Sequence, residues 1–249
     1  MKTPSIANPL DFSGKTVLVV GGSSGIGNGI AQAFRRQGAS VGVWGTRASR
    51  DDYDAADGSD LMGLAYQQVD LGNPDALKAV TAAQALDVLV LCQGTVAYGR
   101  EEFQIDTFRR IIEINLNSLM ACAEKFRDAL AHSRGALITI SSVGGMRATR
   151  GNPAYAASKA GAIHLTATLA QAWAHKGIRV NGVAPGLVAT KLTRITIDKP
   201  ERLKERLQGI PAGRLGTADD MAGACLYLAS PLASYVYGQT IAVDGGRML

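Results

Sequence analysis

Cysteine and histidine are scarce in this chain of 249 residues, which has three of each. The cysteines Cys92, Cys122 and Cys225 form no CxxC pair, so the sequence indicates neither a disulfide framework nor a zinc site. The histidines are widely separated along the chain, and we expect no metal centre. Because the sequence gives no sign of disulfides, we expect the protein in the reducing cytoplasm.

Long apolar runs and concentrated charge are also missing. No segment approaches the ~20 apolar residues of a membrane span, and residues 1–13 lack the apolar core of a signal peptide. We therefore expect no membrane association. The net charge is +5, but the lysines and arginines are dispersed along the chain. This dispersal favours a mildly basic globular protein over a nucleic-acid binder, and it is compatible with an anionic ligand.

What the sequence does contain is an alternation of apolar runs and helical patterns. Its length and its 47% hydrophobic content fit one folded domain over residues 1–249. Several apolar runs are continuous, which is typical of parallel strands covered by helices on both faces. The pattern predicts the α/β class, with a Rossmann-type, doubly wound parallel sheet. The predicted strands are 16–20, 41–44, 63–69, 87–91, 136–140, 179–183 and 240–243, and the predicted helices are 26–37, 106–131, 154–176 and 221–228.

The least regular segment covers residues 187–211. Structureless connections of this length are uncommon inside a compact domain unless they act as lids or binding loops. We therefore predict a substrate lid at about 187–211.

A glycine-rich turn joins the first predicted strand to the first predicted helix, with the sequence Gly21-Gly22-Ser23-Ser24-Gly25-Ile26-Gly27. The amino end of a helix presents free N–H groups to an anion. Missing side chains allow a pyrophosphate to approach the backbone. Glycine-rich turns are common, so the position between strand and helix is what favours a dinucleotide site over a plain turn.

Tyr155 and Lys159 lie four residues apart on a predicted helix and therefore point the same way. A phenol ionises near pH ~10, and a nearby ammonium group lowers that pKa. Tyr155 could then exchange a proton with a carbonyl or an alcohol. The pair alone could equally be an exposed helix pair without a function. Its position after the fifth strand, where Ser142 also lies, favours an active site.

The order of these motifs resembles the short-chain dehydrogenase/reductase family, from about residue 14 to residue 246. The resemblance implies an NAD(P)-dependent oxidoreductase that interconverts a ketone and a secondary alcohol by hydride transfer, acting on a small-molecule carbonyl or alcohol. Family members include 3-oxoacyl-carrier-protein reductases and alcohol dehydrogenases. The resemblance to the family depends on residues 21–27, Asp70, Asn115, Ser142, Tyr155-Ala-Ala-Ser-Lys159, residues 181–186, Thr190 and residues 238–246.

The resemblance also implies catalytic roles. Tyr155 would be the general acid/base, and Lys159 would lower the pKa of Tyr155 and hold the ribose hydroxyls. Ser142 would polarise the substrate carbonyl. Asn115 would distort its helix locally and hold a water that relays protons. An alternative is a catalytically silent dinucleotide-binding protein, but such proteins typically lose the tyrosine or the lysine. A second alternative is the epimerase or dehydratase chemistry of extended relatives. Those relatives usually have longer chains and a different glycine spacing, so this chain fits them less well.

For the cofactor, the resemblance implies an adenine contact at Asp70 and a nicotinamide-flanking segment after the sixth strand. In many relatives, helices corresponding to residues 101–131 and 154–176 form a tetramer interface, so we expect a homotetramer. Segments 96–100, 144–152 and 187–211 would shape the substrate site. The predicted cofactor-binding residues are Gly21, Ser23, Ser24, Gly25, Ile26, Gly27, Thr46, Arg47, Asp70, Leu71, Gln93, Gly94, Tyr155, Lys159, Pro185, Gly186, Val188 and Thr190.

Two positions depart from the family pattern. Val20 stands where the family usually has threonine, and Leu91-Cys92-Gln93-Gly94 replaces the usual Asn-Asn-Ala-Gly. In the family the threonine and an asparagine often help to tie neighbouring loops together, and here both polar groups are absent. Replacing both partners by apolar groups can be nearly neutral, so we expect an apolar contact here.

The end of the second strand predicts the cofactor. NAD enzymes of this fold place an acidic side chain there for the ribose 2′-hydroxyl, but this chain has Gly45. Thr46 offers a hydroxyl, Arg47 a guanidinium suited to a 2′-phosphate, and Arg50 could assist. In the alternative, Arg47 points to solvent and an aspartate of residues 51–52 serves NAD. We predict NADP(H), with NAD(H) as the alternative, and expect Gly45→Asp with Arg47→Ala to favour NADH.

Overall fold

The computed structural model of the protein describes residues 8–73, 75–193 and 197–249. Within these residues, seven strands form one sheet in the order β3-β2-β1-β4-β5-β6-β7, with every pairing parallel. The seven strands match the predicted set. They are β1 (Thr16–Val20), β2 (Ser40–Gly45), β3 (Ala65–Gln68), β4 (Val88–Leu91), β5 (Ala136–Ile140), β6 (Arg179–Pro185) and β7 (Thr240–Val243).

Helices cover both faces of the sheet. One apolar cluster joins Ile30 and Phe34 of the first helix and Met221 of the last to one face. A second cluster joins Phe126 and Leu169 to the other face, and the predicted doubly wound α/β fold is confirmed. Among the described residues, no helix has the length and apolarity needed to cross a membrane. The helices are α1 (Gly25–Arg36), α2 (Ile105–Ile112), α3 (Ser118–Ser133), α4 (Pro153–Trp173), α5 (Pro200–Gln208) and α6 (Ala218–Ala229).

Two regions differ from the sequence prediction. The predicted continuous helix over 106–131 is interrupted by a π-helical turn, Glu113–Asn117, between α2 and α3. The predicted irregular segment 187–211 contains the short turn Lys191–Thr193 and helix α5, although residues 194–196 lie outside the described part. Helix α5 begins with Pro200 in its first turn, a position that favours proline. Its side chains are mostly charged, so no apolar stripe signals the helix in the sequence.

The sheet order defines where a ligand can bind. Strands β1 and β4 are neighbours, but the chain leaves β1 toward β2 and β3 on one side and leaves β4 toward β5 on the other. In open parallel sheets a crevice forms at the carboxyl ends of two such strands. The glycine-rich turn follows β1, and residues 92–95 follow β4, so both lie at this crevice.

Candidate active site

A cavity of about 500 Å³ opens at the carboxyl ends of β1 and β4. Most of the predicted cofactor residues line it, together with two of the predicted catalytic residues. Those predicted residues are Gly21, Ser23, Ser24, Gly25, Ile26, Gly27, Thr46, Asp70, Leu71, Gln93, Gly94, Tyr155, Lys159 and Thr190.

The glycines of the turn allow very close backbone contacts. Gly21 has φ +73°, and a Cβ atom there would lie 2.8 Å from the backbone nitrogen of Gln93. A Cβ atom on Gly27 would lie 2.2 Å from the carbonyl oxygen of Gly21. Helix α1 starts at Gly25 and has no acidic residue in its first turn. The Gly25 N–H donates to the Gly58 carbonyl at 2.9 Å, and Ile26 and Gly27 line the cavity. The amino end of the helix therefore borders the cavity without a carboxylate of its own, which suits an anion.

Lys159 and Tyr155 both line this cavity. The Lys159 ammonium donates a 2.9 Å hydrogen bond to the carbonyl oxygen of Ile140 and lies 5.8 Å from the centre of the Tyr155 ring. Burial lowers the pKa of Lys159 to about 8. Burial also raises the pKa of Tyr155, and this outweighs the opposite effect of its hydrogen bond with the Ser142 side chain. The lowered phenol pKa expected from the lysine is therefore not found in this structure.

Ser142 is the second residue after β5 and caps the short turn Val143–Gly145. Its hydroxyl oxygen accepts a 3.0 Å hydrogen bond from the backbone N–H of Gly144, which fixes the side chain. The Tyr155 ring lies beside this hydroxyl: a Cβ atom on Gly144 would lie 3.3 Å from the Ser142 Oγ and 3.6 Å from the Cε1 atom of Tyr155. A polar pair of this kind, next to a buried ammonium group, can polarise a carbonyl and protonate it.

Asn115 is fully buried in the π-helical turn, so the predicted local distortion of its helix is found. Its amide oxygen accepts from Thr95 N–H at 2.7 Å, and its amide nitrogen donates to the Thr95 carbonyl at 2.8 Å. The amide nitrogen also donates to the Ser158 hydroxyl at 3.2 Å. The side chain therefore holds the loop after β4 against α4, and the water relay stays a prediction.

The position expected to carry the acidic residue of NAD enzymes is closed in this protein. A Cβ atom on Gly45 would lie 2.4 Å from the hydroxyl oxygens of both Ser23 and Tyr53. No acidic side chain fits at this position without moving one of them. Thr46, the next residue, is exposed and lines the cavity.

Arg47 is exposed, but it does not line the cavity. Its guanidinium donates to the backbone oxygen of Asp52 and lies 4.8 Å from the centre of the Tyr53 ring. Arg50 donates to the Leu61 carbonyl at 3.0 Å, so its expected help to Arg47 is not seen.

Asp52 does not reach toward the cavity. Its carboxylate accepts from the backbone N–H of Ser49 at 2.9 Å in a capping box. The alternative in which this aspartate serves NAD therefore has no support from the structure.

Several predicted site residues are not part of the cavity lining. Pro185 and Val188 are buried. Gly186 lies against Asp244, where its Cβ would come within 2.7 Å of the Asp244 Cα, and it borders a separate cavity of about 230 Å³.

The departure from the family pattern at the end of β1 has a simple structural basis. Val20 and Leu91 are register partners on β1 and β4 and belong to the same buried apolar cluster. The expected apolar contact thus replaces the polar one. Gln93 donates a 3.1 Å hydrogen bond to the Ser118 hydroxyl instead.

Some site residues were missed at the sequence level. Lys191 and Leu192 line the cavity within the segment predicted as a lid. Tyr53 lies against Gly45 from the loop after β2, and Glu102 binds the Tyr155 backbone from a distant part of the chain. Only the three-dimensional fold brings them there, and no local pattern marks them.

Comparison with known proteins agrees with this geometry. A family model described as enoyl-(acyl carrier protein) reductase matches residues 20–247. The 3-oxoacyl-[acyl-carrier-protein] reductase of Chlamydia muridarum is 35% identical, over 93% of this chain and 96% of the relative. The 2-dehydro-3-deoxy-D-gluconate 5-dehydrogenase of Bacillus subtilis is also 35% identical, over 94% of this chain and 95% of the relative.

Solved structures show the same similarity. A protein from Beutenbergia cavernae, designated an NAD(P)-dependent gluconate 5-dehydrogenase and crystallised with NADP, has a TM-score of 0.87 and 35% identity over 97% of this chain and 99% of its own. A designated 2-deoxy-D-gluconate 3-dehydrogenase from Agrobacterium tumefaciens, also with NADP bound, has a TM-score of 0.86 and 33% identity over the same shares. This chain belongs to the short-chain dehydrogenase/reductase family and is an NAD(P)-dependent oxidoreductase.

Proposed function

We propose that the protein interconverts a ketone and a secondary alcohol with Tyr155 as general acid/base and NADP(H) as cofactor. The observation that carries the proposal is that the Ser142 hydroxyl and the Tyr155 ring lie together against Gly144, beside the buried ammonium of Lys159. These are the groups that a carbonyl oxygen needs when it gains a proton during hydride transfer.

The residues at the cavity fit a dinucleotide. The side-chain-free positions Gly21 and Gly27 and the open amino end of α1 suit a pyrophosphate. Asp70 would contact the adenine, and Lys159 the ribose hydroxyls. When bound, the nicotinamide supplies or accepts the hydride.

The protein's own part is the proton transfer. In reduction, the Ser142 hydroxyl donates a hydrogen bond to the substrate oxygen, and the Tyr155 hydroxyl gives its proton to that oxygen. The phenolate that remains is stabilised by the Lys159 ammonium. In alcohol oxidation the same proton moves in the opposite direction. A water held near Asn115 would return protons to Lys159.

NADP(H) is preferred over NAD(H) in this proposal for two reasons. The place of the acidic residue is filled by Ser23 and Tyr53 around Gly45, so no carboxylate repels a 2′-phosphate. The Arg47 guanidinium has a backbone oxygen as its hydrogen-bond partner, and a phosphate would be a stronger one. The two solved relatives with bound NADP support this preference.

The substrate would be a small carbonyl or alcohol compound, held under a lid at about residues 187–211. Two contacts of this segment support the lid: Lys191 pairs with Asp57 at 3.0 Å, and Tyr98 bonds to Leu192. The relatives are named for acyl-carrier-protein and sugar-acid substrates, and both classes belong in the first assays. Free thiols are compatible with a cytoplasmic location.

We also propose a homotetramer. Phe103 and Ile105, at the start of the predicted interface helices, are 61% and 60% exposed, and Met120 on α3 is 40% exposed. Helix α4 presents small residues to the surface, among them Ala157 and Ala160. Large exposed apolar side chains beside a surface of small residues suit helix packing between copies.

The experiment is a panel of ketones, including 3-oxoacyl thioesters and oxidised sugar acids, assayed with NADPH for wild type and Tyr155→Phe. We expect Tyr155→Phe to lower kcat at least ~100-fold with cofactor affinity unchanged, because only the proton donor is lost. Tyr235→Phe is the matched control, since Tyr235 is 99% exposed. Substantial turnover by Tyr155→Phe would refute the acid/base role. A wild type that binds NADPH and reduces nothing would favour a silent binding protein.

A further inference from the structure

Glu102 is a carboxylate with no exposed surface, located in the short turn Glu101–Phe103. A buried carboxylate is costly unless it is fully hydrogen-bonded. One oxygen accepts from the Ala97 N–H and from the Asn152 amide, both at 3.1 Å. The other oxygen accepts from the backbone N–H of Tyr155 at 2.9 Å. The carboxylate is therefore satisfied by three donors, one from the loop after β4 and two from the start of α4.

The bond to Tyr155 takes the place of a helix cap. Tyr155 is the third residue of α4, and the cap residue Asn152 makes no side-chain cap bond. The first N–H groups of a helix lack intrahelical partners, and the helix dipole favours a negative charge there. Glu102 supplies both the hydrogen-bond acceptor and the negative charge from outside the helix. It thus holds the proposed acid/base residue by its own main chain.

Glu102 also connects Tyr155 to the loop after β4. The Asn152 amide that donates to Glu102 donates to the Ala97 carbonyl as well, at 2.8 Å. The loops on both sides of the reaction centre are thereby tied to one carboxylate. Tyr98, adjacent to Ala97, bonds to Leu192 in the proposed lid.

We propose that Glu102 is a positioning residue that fixes the Tyr155 hydroxyl for proton transfer by holding the first turn of α4. This inference rests on the proposed acid/base role of Tyr155. A misplacement of about 1 Å can cost on the order of 100-fold in rate. Because Glu102 holds the backbone of Tyr155 itself, we expect it to affect kcat.

Several groups act on the Tyr155 phenol. Burial is the largest cause that raises its pKa; the hydrogen bond with Ser142 lowers it, and Tyr98, Cys92 and Glu102 raise it. The Lys159 ammonium also lies near the ring. Removing the Glu102 charge should therefore lower the pKa of Tyr155. Alcohol oxidation needs the Tyr155 phenolate, so its rate rises with pH. In a variant without the Glu102 charge, this rise should occur at lower pH.

The test compares Glu102→Gln and Glu102→Asp in the full enzyme with NADP(H). In Glu102→Gln the amide NH2 group replaces one carboxylate oxygen, and it cannot accept the hydrogen bond that this oxygen received. We therefore expect kcat to fall about tenfold or more and the rising limb of the pH profile to move to lower pH. Cofactor affinity should stay unchanged. Glu102→Asp keeps the charge but shortens the reach, so kcat should fall while the limb stays. Glu101→Gln, an exposed neighbour, should change nothing.

A purely structural role gives a different result. Thr217→Ala removes the cap of α6 and serves as a stability control, expected to lower Tm with kcat unchanged. If Glu102→Gln behaves like Thr217→Ala, with normal kcat and an unmoved limb, the proposal is overturned. Should Glu102→Gln fail to fold, Glu102→Asp decides: unchanged kcat and unchanged hydrogen exchange in the first turn of α4 overturn the proposal.

A readout without turnover separates this proposal from the proposed function. The tyrosinate absorbance of Tyr155 is obtained as the difference between a protein and its Tyr155→Phe counterpart during a pH titration. If the enzyme reduces no ketone, the proposed function fails. A lower Tyr155 pKa in Glu102→Gln, with faster hydrogen exchange at the first turn of α4, would still support the Glu102 contact, whereas an unchanged titration would overturn it.

Discussion

The hydroxyl group of Tyr98 donates a 2.5 Å hydrogen bond to the backbone oxygen of Leu192. The preceding residue, Lys191, forms a 3.0 Å ion pair with Asp57. One contact is made on the side of Tyr155 and the other on the side of the loop after β2. Both residues line the cavity. Lys191 and Leu192 are thus each tied to another part of the chain, as the proposed lid would require when closed.

Tyr98→Phe should loosen the proposed lid without unfolding the protein. The hydroxyl is lost, but the ring keeps its packing. A net hydrogen bond contributes about 0.5–1.5 kcal/mol, so NADPH should dissociate roughly 2- to 10-fold faster, measured by stopped-flow fluorescence. Tyr237→Phe is a suitable control, because Tyr237 has a similar exposure of 37%. An unchanged dissociation rate in Tyr98→Phe would mean that this contact does not hold the lid.

The central strands β4 and β5 could be predicted because they are apolar and buried on both faces. Leu89 and Leu91, for example, are completely buried, and such runs leave a clear signal in the sequence. Helix α5 gave no such signal, since none of its residues is buried. The π-helical turn at Asn115 was expected only through the family resemblance. Its side chain is satisfied by Thr95 and Ser158, contacts that no local pattern reveals.

The site shows the same division. Tyr155 and Lys159 could be predicted, since their chemistry depends on spacing along one helix. Glu102 could not, because it reaches Tyr155 from more than fifty residues away. Arg50 looked like a second phosphate ligand from its position in the sequence, but the fold offers it the Leu61 carbonyl.

Lys159→Ala should damage both turnover and cofactor binding, because the ammonium has two proposed tasks. Losing a charged hydrogen bond costs about 1.5–3 kcal/mol, so Kd for NADPH should rise roughly 10- to 100-fold, measured by fluorescence titration. Lys159→Met keeps the apolar stem and separates the charge from packing. Lys176→Ala, at the exposed end of the same helical segment, is the control. Normal NADPH affinity in both Lys159 variants would contradict the ribose contact.

Stability should fall at alkaline pH because of the buried thiols. Burial raises the pKa of Cys122 to about 12, whereas an unfolded thiol ionises near pH ~8.5. Between these values the unfolded chain loses a proton that the folded chain keeps, so ionisation favours unfolding as the pH rises.

Cys122→Ala removes this contribution. Between pH ~7.5 and ~9.5 the wild type should lose about 1.4 kcal/mol more in the free energy of unfolding than the variant, measured by urea denaturation with a reductant present. The alanine also lowers stability at every pH through lost packing, so only the difference between the two pH values is diagnostic. Parallel pH dependence of the two proteins would show that the Cys122 thiol ionises in the folded state.

The design of a cofactor switch changes once the structure is known. The sequence suggested Gly45→Asp, but a side chain there would collide with Ser23 and Tyr53. Loss of activity in that variant would therefore report a displaced glycine-rich turn rather than a changed preference. Thr46 is exposed at the cavity and is the better place for a carboxylate.

Arg47→Ala should lower kcat/KM for NADPH about 10- to 100-fold and leave the value for NADH unchanged, since a charged hydrogen bond to the 2′-phosphate is lost. Thr46→Asp with Arg47→Ala should then favour NADH, because the new carboxylate accepts from the ribose 2′-hydroxyl and repels the phosphate. The measurement is kcat/KM for both cofactors with one substrate. Arg50→Ala serves as the matched control, because its guanidinium is held by Leu61. A wild type that prefers NADH would rule out Arg47 as the phosphate ligand. So would an Arg47→Ala variant whose ratio of kcat/KM for NADPH to kcat/KM for NADH equals that of Arg50→Ala.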